Sequence, residues 1–232
     1  MLLRRLVLSA SVLMCPLSGA AMADNAPVPQ PAGITKAWQP APGDVIRFDV
    51  LRKGSPFGSH LVTFDEGPDG ALVANTKINL KAGLGPITVF RYDHTASEVW
   101  REGQLVEVAG EVNDDGKKAS MEAVRNGNSL AVQGTLFSGK VPATVIPASH
   151  WNYAQTQTRN LLSTEDGEIY DIKVTPKGRE KITAAGREIE ANRYLLQSDL
   201  DVDLWYDDQG RWVKLAFEAR GQQIEYVLSQ MY

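Results

Sequence analysis

An alternation of apolar and polar residues runs through most of this chain from Asp44 onward, and it constrains the fold more than any other feature. In the stretch ALVANTKINL, one face carries Leu72, Ala74, Thr76, Ile78 and Leu80. The residues between them, which include two asparagines and a lysine, fall on the other face. Because successive side chains of a strand point to opposite sides, this pattern is typical of a strand with one buried face.

The same alternation recurs in IRFDVL, HLVTF, LVEVAGEV, IYDIKV, RWVKLAF and QIEYVLS, and turn signals such as NDDG, RNGN and EDGE separate these stretches. About twelve short strands with such turns indicate an antiparallel all-β domain. Strand twist accumulates and open edges are a hazard, so we expect a single antiparallel meander that forms a strongly curved sheet or a barrel. The interruption IPASHWNYAQ predicts one short helical or irregular segment near residues 147–165 that crosses between two halves of the domain.

The N-terminal sequence MLLRRLVLSASVLMCPLSGAAMA has the layout of a cleavable secretory signal peptide. Arg4 and Arg5 precede an apolar run, and small residues place the expected cleavage after Ala23. The arginine pair also fits a twin-arginine signal, so both export routes stay open, with the general secretory route favoured. The apolar run is shorter than the roughly 20 residues of a transmembrane helix, so we expect no integral membrane segment after signal removal.

These observations divide the chain into a signal peptide (1–23), a proline-rich extended linker (24–43) and a β-domain (44–232). The single cysteine, Cys15, lies in the signal peptide, so the mature chain has no disulfide, thiolate zinc site or cysteine nucleophile. Signal removal takes away two arginines and no acidic residue, so the formal net charge falls from −4 to −6. An acidic chain without a basic run argues against nucleic acid as a partner. We predict no cofactor.

Four stretches, FDVLRKGSPFG, SEVWREGQL, SHWN and DLWYDDQGRWVKL, follow one another in a fairly specific order. In this order they resemble an uncharacterised family of exported bacterial β-rich proteins, a domain of unknown function, over most of residues 44–232. The resemblance implies an exported, single-domain protein of Gram-negative bacteria, located in the periplasm or secreted. It implies no activity and no catalytic residue.

The strand TVFRYDHTASEVW is the first candidate for a ligand-binding site. Its alternation places Ala96 and five candidate residues on one largely aromatic face: Phe90, Tyr92, His94, Glu98 and Trp100. On a strand, His94 and Glu98 lie roughly 13 Å apart, too far to touch but close enough to line one cavity. The alternatives are a core histidine with ordinary hydrogen-bond partners, or a shifted register that returns both groups to water.

The interruption around residue 150 is the second candidate. This stretch offers an imidazole, an aromatic stacking surface and an amide, in His150, Trp151 and Asn152. These groups are suited to binding a ligand. They suit closing one end of a barrel equally well, and we favour that interpretation. Ser149 precedes His150, but adjacent residues do not produce the geometry of a catalytic triad, and the chain has no G-x-S-x-G motif. We predict no catalytic residue.

Metal binding finds little support in the sequence. The aspartates of DLDVDLWYDD alternate, but the stretch lacks the glycine and glutamate of a calcium loop, so they indicate a solvated face. His60, His94 and His150 share no spacing typical of metal ligands. We predict no metal site.

Three functions are compatible with these features. Export, a curved sheet and an aromatic inner face favour a protein that binds or carries an apolar or amphipathic small molecule. The alternative is a non-catalytic accessory or interaction protein of the cell envelope, which calls for a filled interior and an exposed apolar patch. The third is a hydrolase, which requires a histidine, a carboxylate and a hydroxyl in one cleft.

Overall fold

A computed structural model describes residues 37–84, 87–219 and 221–231 of the chain. The predicted signal peptide, its cleavage point after Ala23 and the linker as far as residue 36 lie outside the described residues. Residues 37–43, the end of the predicted linker, run against the β-domain. The main-chain N–H of Trp38 donates to the carbonyl of Gln209 over 2.6 Å, and the Trp38 ring packs edge-on against Phe64.

Within the described residues, thirteen strands form the main sheet, and they belong to two consecutive meanders. The first contains β1 (Val45–Arg52), β2 (Ser55–Glu66), β3 (Leu72–Leu84), β4 (Ile87–Arg101), β5 (Gln104–Asp114), β6 (Lys117–Asn126), β7 (Ser129–Gly134) and β8 (Ser138–Pro142). A 3₁₀ turn, Pro68–Gly70, lies between β2 and β3. The second contains β12 (Lys173–Ala184), β13 (Arg187–Gln197), β14 (Val202–Tyr206), β15 (Trp212–Ala219) and β16 (Gln222–Met231).

The last strand of the chain pairs with the first, which joins the two meanders into one sheet. The strand order runs from β12 to β16 and continues from β1 to β8, with neighbours antiparallel throughout. The sheet is not closed, and β8 and β12 are its edges. The prediction of an antiparallel all-β fold with about twelve strands is confirmed. The chain does not follow the sheet from edge to edge, however, because it begins in the middle.

Two-residue hairpin turns connect several of these strands. Asp115 and Gly116, between β5 and β6, both have positive φ (51° and 90°), as a type I′ turn requires. The side chain of Asn113 accepts a hydrogen bond from the Gly116 N–H over 2.9 Å and steadies the turn. In three further hairpins, the turn consists of a non-glycine residue followed by glycine, and both have positive φ: Lys53–Gly54, Glu102–Gly103 and Ala185–Gly186.

The sheet has one buried inner face and one largely solvated outer face. In β4 the inner face carries Tyr92, His94, Ala96, Glu98 and Trp100, which are all buried. This confirms the face that the alternation predicted. The sheet also curls strongly, since the β12–β13 turn reaches β16, where the N–H of Ala185 donates to the carbonyl of Leu228 over 2.8 Å.

Residues 143–172, here called the crossing segment, connect β8 to β12 across the inner face. The segment contains β9 (Ile146–Pro147), a 3₁₀ turn (Tyr153–Gln157), β10 (Asn160–Leu162) and β11 (Ile169–Asp171). Its three short strands form a separate small sheet. The prediction of a short helical or irregular crossing near residues 147–165 is confirmed. In the described part of the chain, no helix has the length and apolar character to cross a membrane.

Candidate functional site

The inner face of the sheet carries mostly small residues where the crossing segment approaches it most closely. Strand pairing aligns five residues across β3 to β7: Thr76, Ala96, Gly110, Met121 and Gly134. A Cβ atom on Gly110 would stand 2.0 Å from the carbonyl oxygen of Thr164, and one on Gly134 would stand 2.3 Å from that of Asp166. The backbone of the crossing segment therefore rests directly on the backbone of the sheet, and only glycine fits at these two positions.

Trp151 anchors the crossing segment to the first meander. Its ring packs edge-on against Phe64 and Trp100, with ring centres 5.2 Å and 5.6 Å away. Strand pairing aligns Phe64, Ala74 and Glu98 across β2 to β4. Because the residue in the middle of this row is a small alanine, the indole has room between its neighbours.

Glu98 lies beneath this indole and is 1% exposed. It accepts hydrogen bonds from the indole N–H of Trp100 over 3.0 Å and from that of Trp151 over 3.3 Å. Burial raises the pKa of Glu98 from 4.5 to about 7, although these two donors and the nearby Ser149 hydroxyl favour the charged form. The Ser149 hydroxyl is close to Glu98, but its geometry falls short of a full hydrogen bond.

A network of buried polar groups anchors the crossing segment to the second meander. His150 has a φ of 67°, a strained conformation for a residue other than glycine. Its carbonyl accepts hydrogen bonds from the Tyr206 hydroxyl (2.8 Å) and the Gln155 amide (3.0 Å), and its Nδ1 lies 3.0 Å from Oε1 of Gln155. The hydroxyls of Tyr153 and Tyr194 are 2.6 Å apart. These contacts hold the strained residue in place.

A cavity of about 50 Å³, here called the central cavity, lies between the crossing segment and the inner face. The crossing segment forms its roof with Ala148, Ser149, His150, Thr164 and Glu165. The polar part of its wall comes from His60, Thr76, Tyr92 and His94. The apolar part comes from Ile78, Val202, Leu215, Phe217 and the ring of Tyr226.

All three histidines of the chain line the central cavity, which their sequence spacing gave no reason to expect. Strand pairing places His60 opposite Ile78 on β3, and Ile78 opposite His94 on β4. The two histidines are therefore two strands apart in one row, at about 10 Å. His150 enters from the crossing segment. In the described residues, no group of three or more histidine, cysteine or acidic side chains has the arrangement of a metal site.

Several polar atoms at the central cavity have no hydrogen-bond partner among the described residues. They are both ring nitrogens of His60, Nδ1 of His94 and the hydroxyls of Thr76 and Ser149. Burial lowers the pKa of His60 well below 6.5, lowers that of His94, and lowers that of His150 to about 4. The three imidazoles are therefore uncharged at neutral pH. Buried polar groups are almost always paired, so these atoms require an explanation.

The arrangement around His94 does not match that of a hydrolase. Nε2 of His94 lies 3.3 Å from both the hydroxyl and the carbonyl oxygen of Thr164. A triad also needs a carboxylate on the other ring nitrogen, to orient the imidazole and stabilise its charged form. Glu165 instead accepts a hydrogen bond from the Tyr92 hydroxyl over 2.9 Å, and Nδ1 of His94 has no partner in the described chain.

The residues predicted from sequence to bind a ligand fall into three places. Tyr92, His94 and His150 line the central cavity. Glu98, Trp100 and Trp151 form the adjoining cluster described above, where the two tryptophans donate to one carboxyl group. Their roles in ligand binding stay predictions.

The other two predicted residues lie elsewhere. The Phe90 ring stacks on Phe57 with ring centres 5.8 Å apart. Asn152 caps the 3₁₀ turn of the crossing segment, because its side-chain oxygen accepts from the Ala154 N–H over 3.0 Å. These contacts indicate a structural role for Phe90 and Asn152.

Sequence reasoning missed His60 and Thr76 as cavity residues. The signal was present, since HLVTF alternates and puts His60 on the same face as Val62 and Phe64, while Thr76 already belonged to the predicted buried face of β3. What the pattern could not supply was the pairing register that places them together.

Residues 48–229 match the family described as Domain of unknown function (DUF6134). The chain belongs to this family. Among solved structures, the chain is similar to a β-barrel-like protein of domain of unknown function DUF1849 from Brucella abortus. The likeness has a TM-score of 0.60 at 9% sequence identity and covers 82% of this chain and 96% of that one. At such identity it supports the β-barrel-like fold alone. No curated protein matches the chain.

Proposed function

We propose that this DUF6134 protein is exported, and that it binds an amphipathic small molecule at the central cavity without catalysing a reaction. The observation that carries the proposal is the mixed lining of the cavity. Buried polar atoms without partners share it with apolar side chains such as Leu215 and Phe217. Ligand sites commonly combine apolar walls with a few polar groups that fix orientation.

The size of the central cavity determines how such a ligand enters. Pockets for drug-sized ligands measure about 300–1,000 Å³, whereas a single water needs about 10–15 Å³. At about 50 Å³ the cavity accommodates a head group, and an apolar tail requires the crossing segment to move. That movement leaves the thirteen paired strands intact, because the roof lies outside the main sheet.

Export to the periplasm or beyond is supported by the N-terminal sequence. The charged start, the short apolar run and the small residues before Asp24 are the three parts of a signal peptide. The intact mass of the protein recovered from the periplasm of a Gram-negative host tests this part. We expect a chain that begins at Asp24, and an uncleaved cytoplasmic product would refute export.

Native mass spectrometry of the same material, followed by extraction into organic solvent, tests ligand binding. We expect an added mass that disappears on denaturation and returns when the extract is added back. The His60→Leu variant tests the site, because it replaces the unpartnered imidazole by an apolar side chain. This variant should lose the added mass. Protein that carries no added mass and gains no thermal stability from any amphiphile would refute the proposal.

The second candidate is a non-catalytic accessory or interaction protein of the envelope. The observation in its favour is that the crossing segment packs into the core of the sheet, with Trp151 and Tyr153 buried. The two candidates differ in the experiment above. Ligand-free protein with a stable envelope partner would favour the second.

A further inference from the structure

We propose that the polar wall of the central cavity accepts an uncharged head group that both donates and accepts hydrogen bonds, such as a hydroxyl or a primary amide. The inference rests on the proposed function and narrows its ligand class. It excludes fatty acids and other anionic amphiphiles, and it also excludes simple amines.

The first step is the state of His60, which is 3% exposed. A neutral imidazole has one N–H donor and one bare nitrogen acceptor, and at His60 neither has a partner in the described chain. A group that complements this side chain must therefore both accept and donate. A hydroxyl or an amide does so, whereas an ammonium group only donates and a carboxylate only accepts.

The second step is that further unpartnered atoms line the same cavity. The Thr76 hydroxyl and Nδ1 of His94 belong to side chains that are each 5% exposed. Thr76 lies two residues along β3 from Ile78, on the same face and in the row next to that of His60 and His94, since it pairs with Val62 and Ala96. All three side chains line the same cavity of about 50 Å³, so a head group bound there lies beside unpartnered donors and acceptors.

The third step is charge. Glu165 lies in the roof and takes a hydrogen bond from Tyr92, so an anionic head group would meet a carboxylate. The buried imidazoles are uncharged and do not compensate a negative charge. Burying an uncompensated charge is strongly unfavourable, so an anion is the least suitable head group.

The experiment uses four probes that share a six-carbon tail: hexan-1-ol, hexanamide, hexanoate and hexylamine. Each is titrated into the full-length mature protein near neutral pH and followed by calorimetry or by chemical-shift changes of the histidine rings. We expect the alcohol and the amide to bind at least about tenfold more tightly than the two charged probes, which corresponds to about 1.4 kcal/mol.

Two matched variants locate the binding. Thr76→Val removes the hydroxyl inside the cavity and keeps the shape of the side chain. Thr63→Val makes the same change on the outer face of β2. We expect Thr76→Val to weaken hexan-1-ol binding about fivefold or more and Thr63→Val to leave it unchanged.

The outcomes separate the inference from the proposed function. If a charged probe binds as tightly as the alcohol, or if Thr76→Val has no effect on binding, the head-group inference is wrong while ligand binding stands. If no probe or other amphiphile binds, and Thr76→Val raises the melting temperature, the hydroxyl is simply unsatisfied and both proposals fail. Preferential binding of the alcohol and the amide, weakened in Thr76→Val and unchanged in Thr63→Val, supports both.

Discussion

The buried carboxyl group of Glu98 makes the stability of this protein depend on pH in a predictable way. Its pKa is about 7 in the folded state and 4.5 in its ordinary state. The folded protein therefore holds this proton more tightly than the unfolded chain does, and the group contributes most stability at low pH. Most of that contribution is lost as the pH rises from about 4.5 to about 7, and the remainder is lost by about pH 8.5.

The substitution Glu98→Gln isolates this effect, because glutamine resembles the protonated acid and does not titrate. Linkage gives a loss of about 1.5 kcal/mol for the wild type between about pH 6 and pH 8.5, since the folded-state proton dissociates in that range. The variant has no such loss. We therefore expect the free energy of unfolding of Glu98→Gln, relative to wild type, to increase by about 1.5 kcal/mol over the same range.

Urea unfolding at several pH values, followed by tryptophan fluorescence, measures this difference. The three histidines also titrate, but they are common to both proteins and cancel in the comparison. Glu122→Gln, on the exposed side of β6, controls for the loss of one negative charge. If the difference between Glu98→Gln and wild type stays constant from pH 6 to pH 8.5, the carboxyl group is not held in its neutral form and the reasoning is wrong.

Three further predictions concern the crossing segment. Gly110→Ala places a methyl group 2.0 Å from a carbonyl oxygen of this segment, so the free energy of unfolding measured in urea should fall by about 1–3 kcal/mol. The control Ala109→Ser, on the other face of β5, should lower it by less than about 0.5 kcal/mol. Equal losses in the two variants would contradict the close approach. Tyr206→Phe removes a donor to the His150 carbonyl and should cost about 1 kcal/mol by the same measurement, whereas wild-type stability would show that this bond is dispensable. Because burial lowers the pKa of all three histidines, to about 4 for His150, the melting temperature of the Glu98→Gln variant should fall as the pH drops from 6.5 towards 4. A melting temperature that rises over this range would show that the histidines are not held in their neutral form.

Periodicity predicted the parts of the fold that depend on local sequence. The alternation of β4 identified the buried face correctly, because a strand with one buried face must repeat every two residues. It also placed His94 and Glu98 on that face, where both are buried. The break at IPASHWNYAQ identified the crossing segment, because no strand or helix period continues through it.

Periodicity could not predict which distant residues meet. His60 and His94 come together only because two successive pairings place both opposite Ile78, and register depends on turns and bulges that alternation does not encode. The position of Trp151 over Glu98 depends in addition on the path of the crossing segment. That path follows from the sheet order, in which β1 pairs with β16 and leaves β8 and β12 as separate edges.

The central cavity and the unpartnered nitrogens of His60 and His94 have a common origin in the different side-chain sizes of neighbouring rows on the inner face. Where the row contains Ala96 and Gly110, the crossing segment settles onto the sheet backbone. In the next row, the larger His60, Ile78 and His94 keep the segment away, so its backbone cannot satisfy every polar atom beneath it. Packing alone would be served better by apolar side chains at the two histidine positions, because these would need no partner. Imidazoles with unpartnered nitrogens at this gap are therefore the strongest argument in the molecule for a bound polar group.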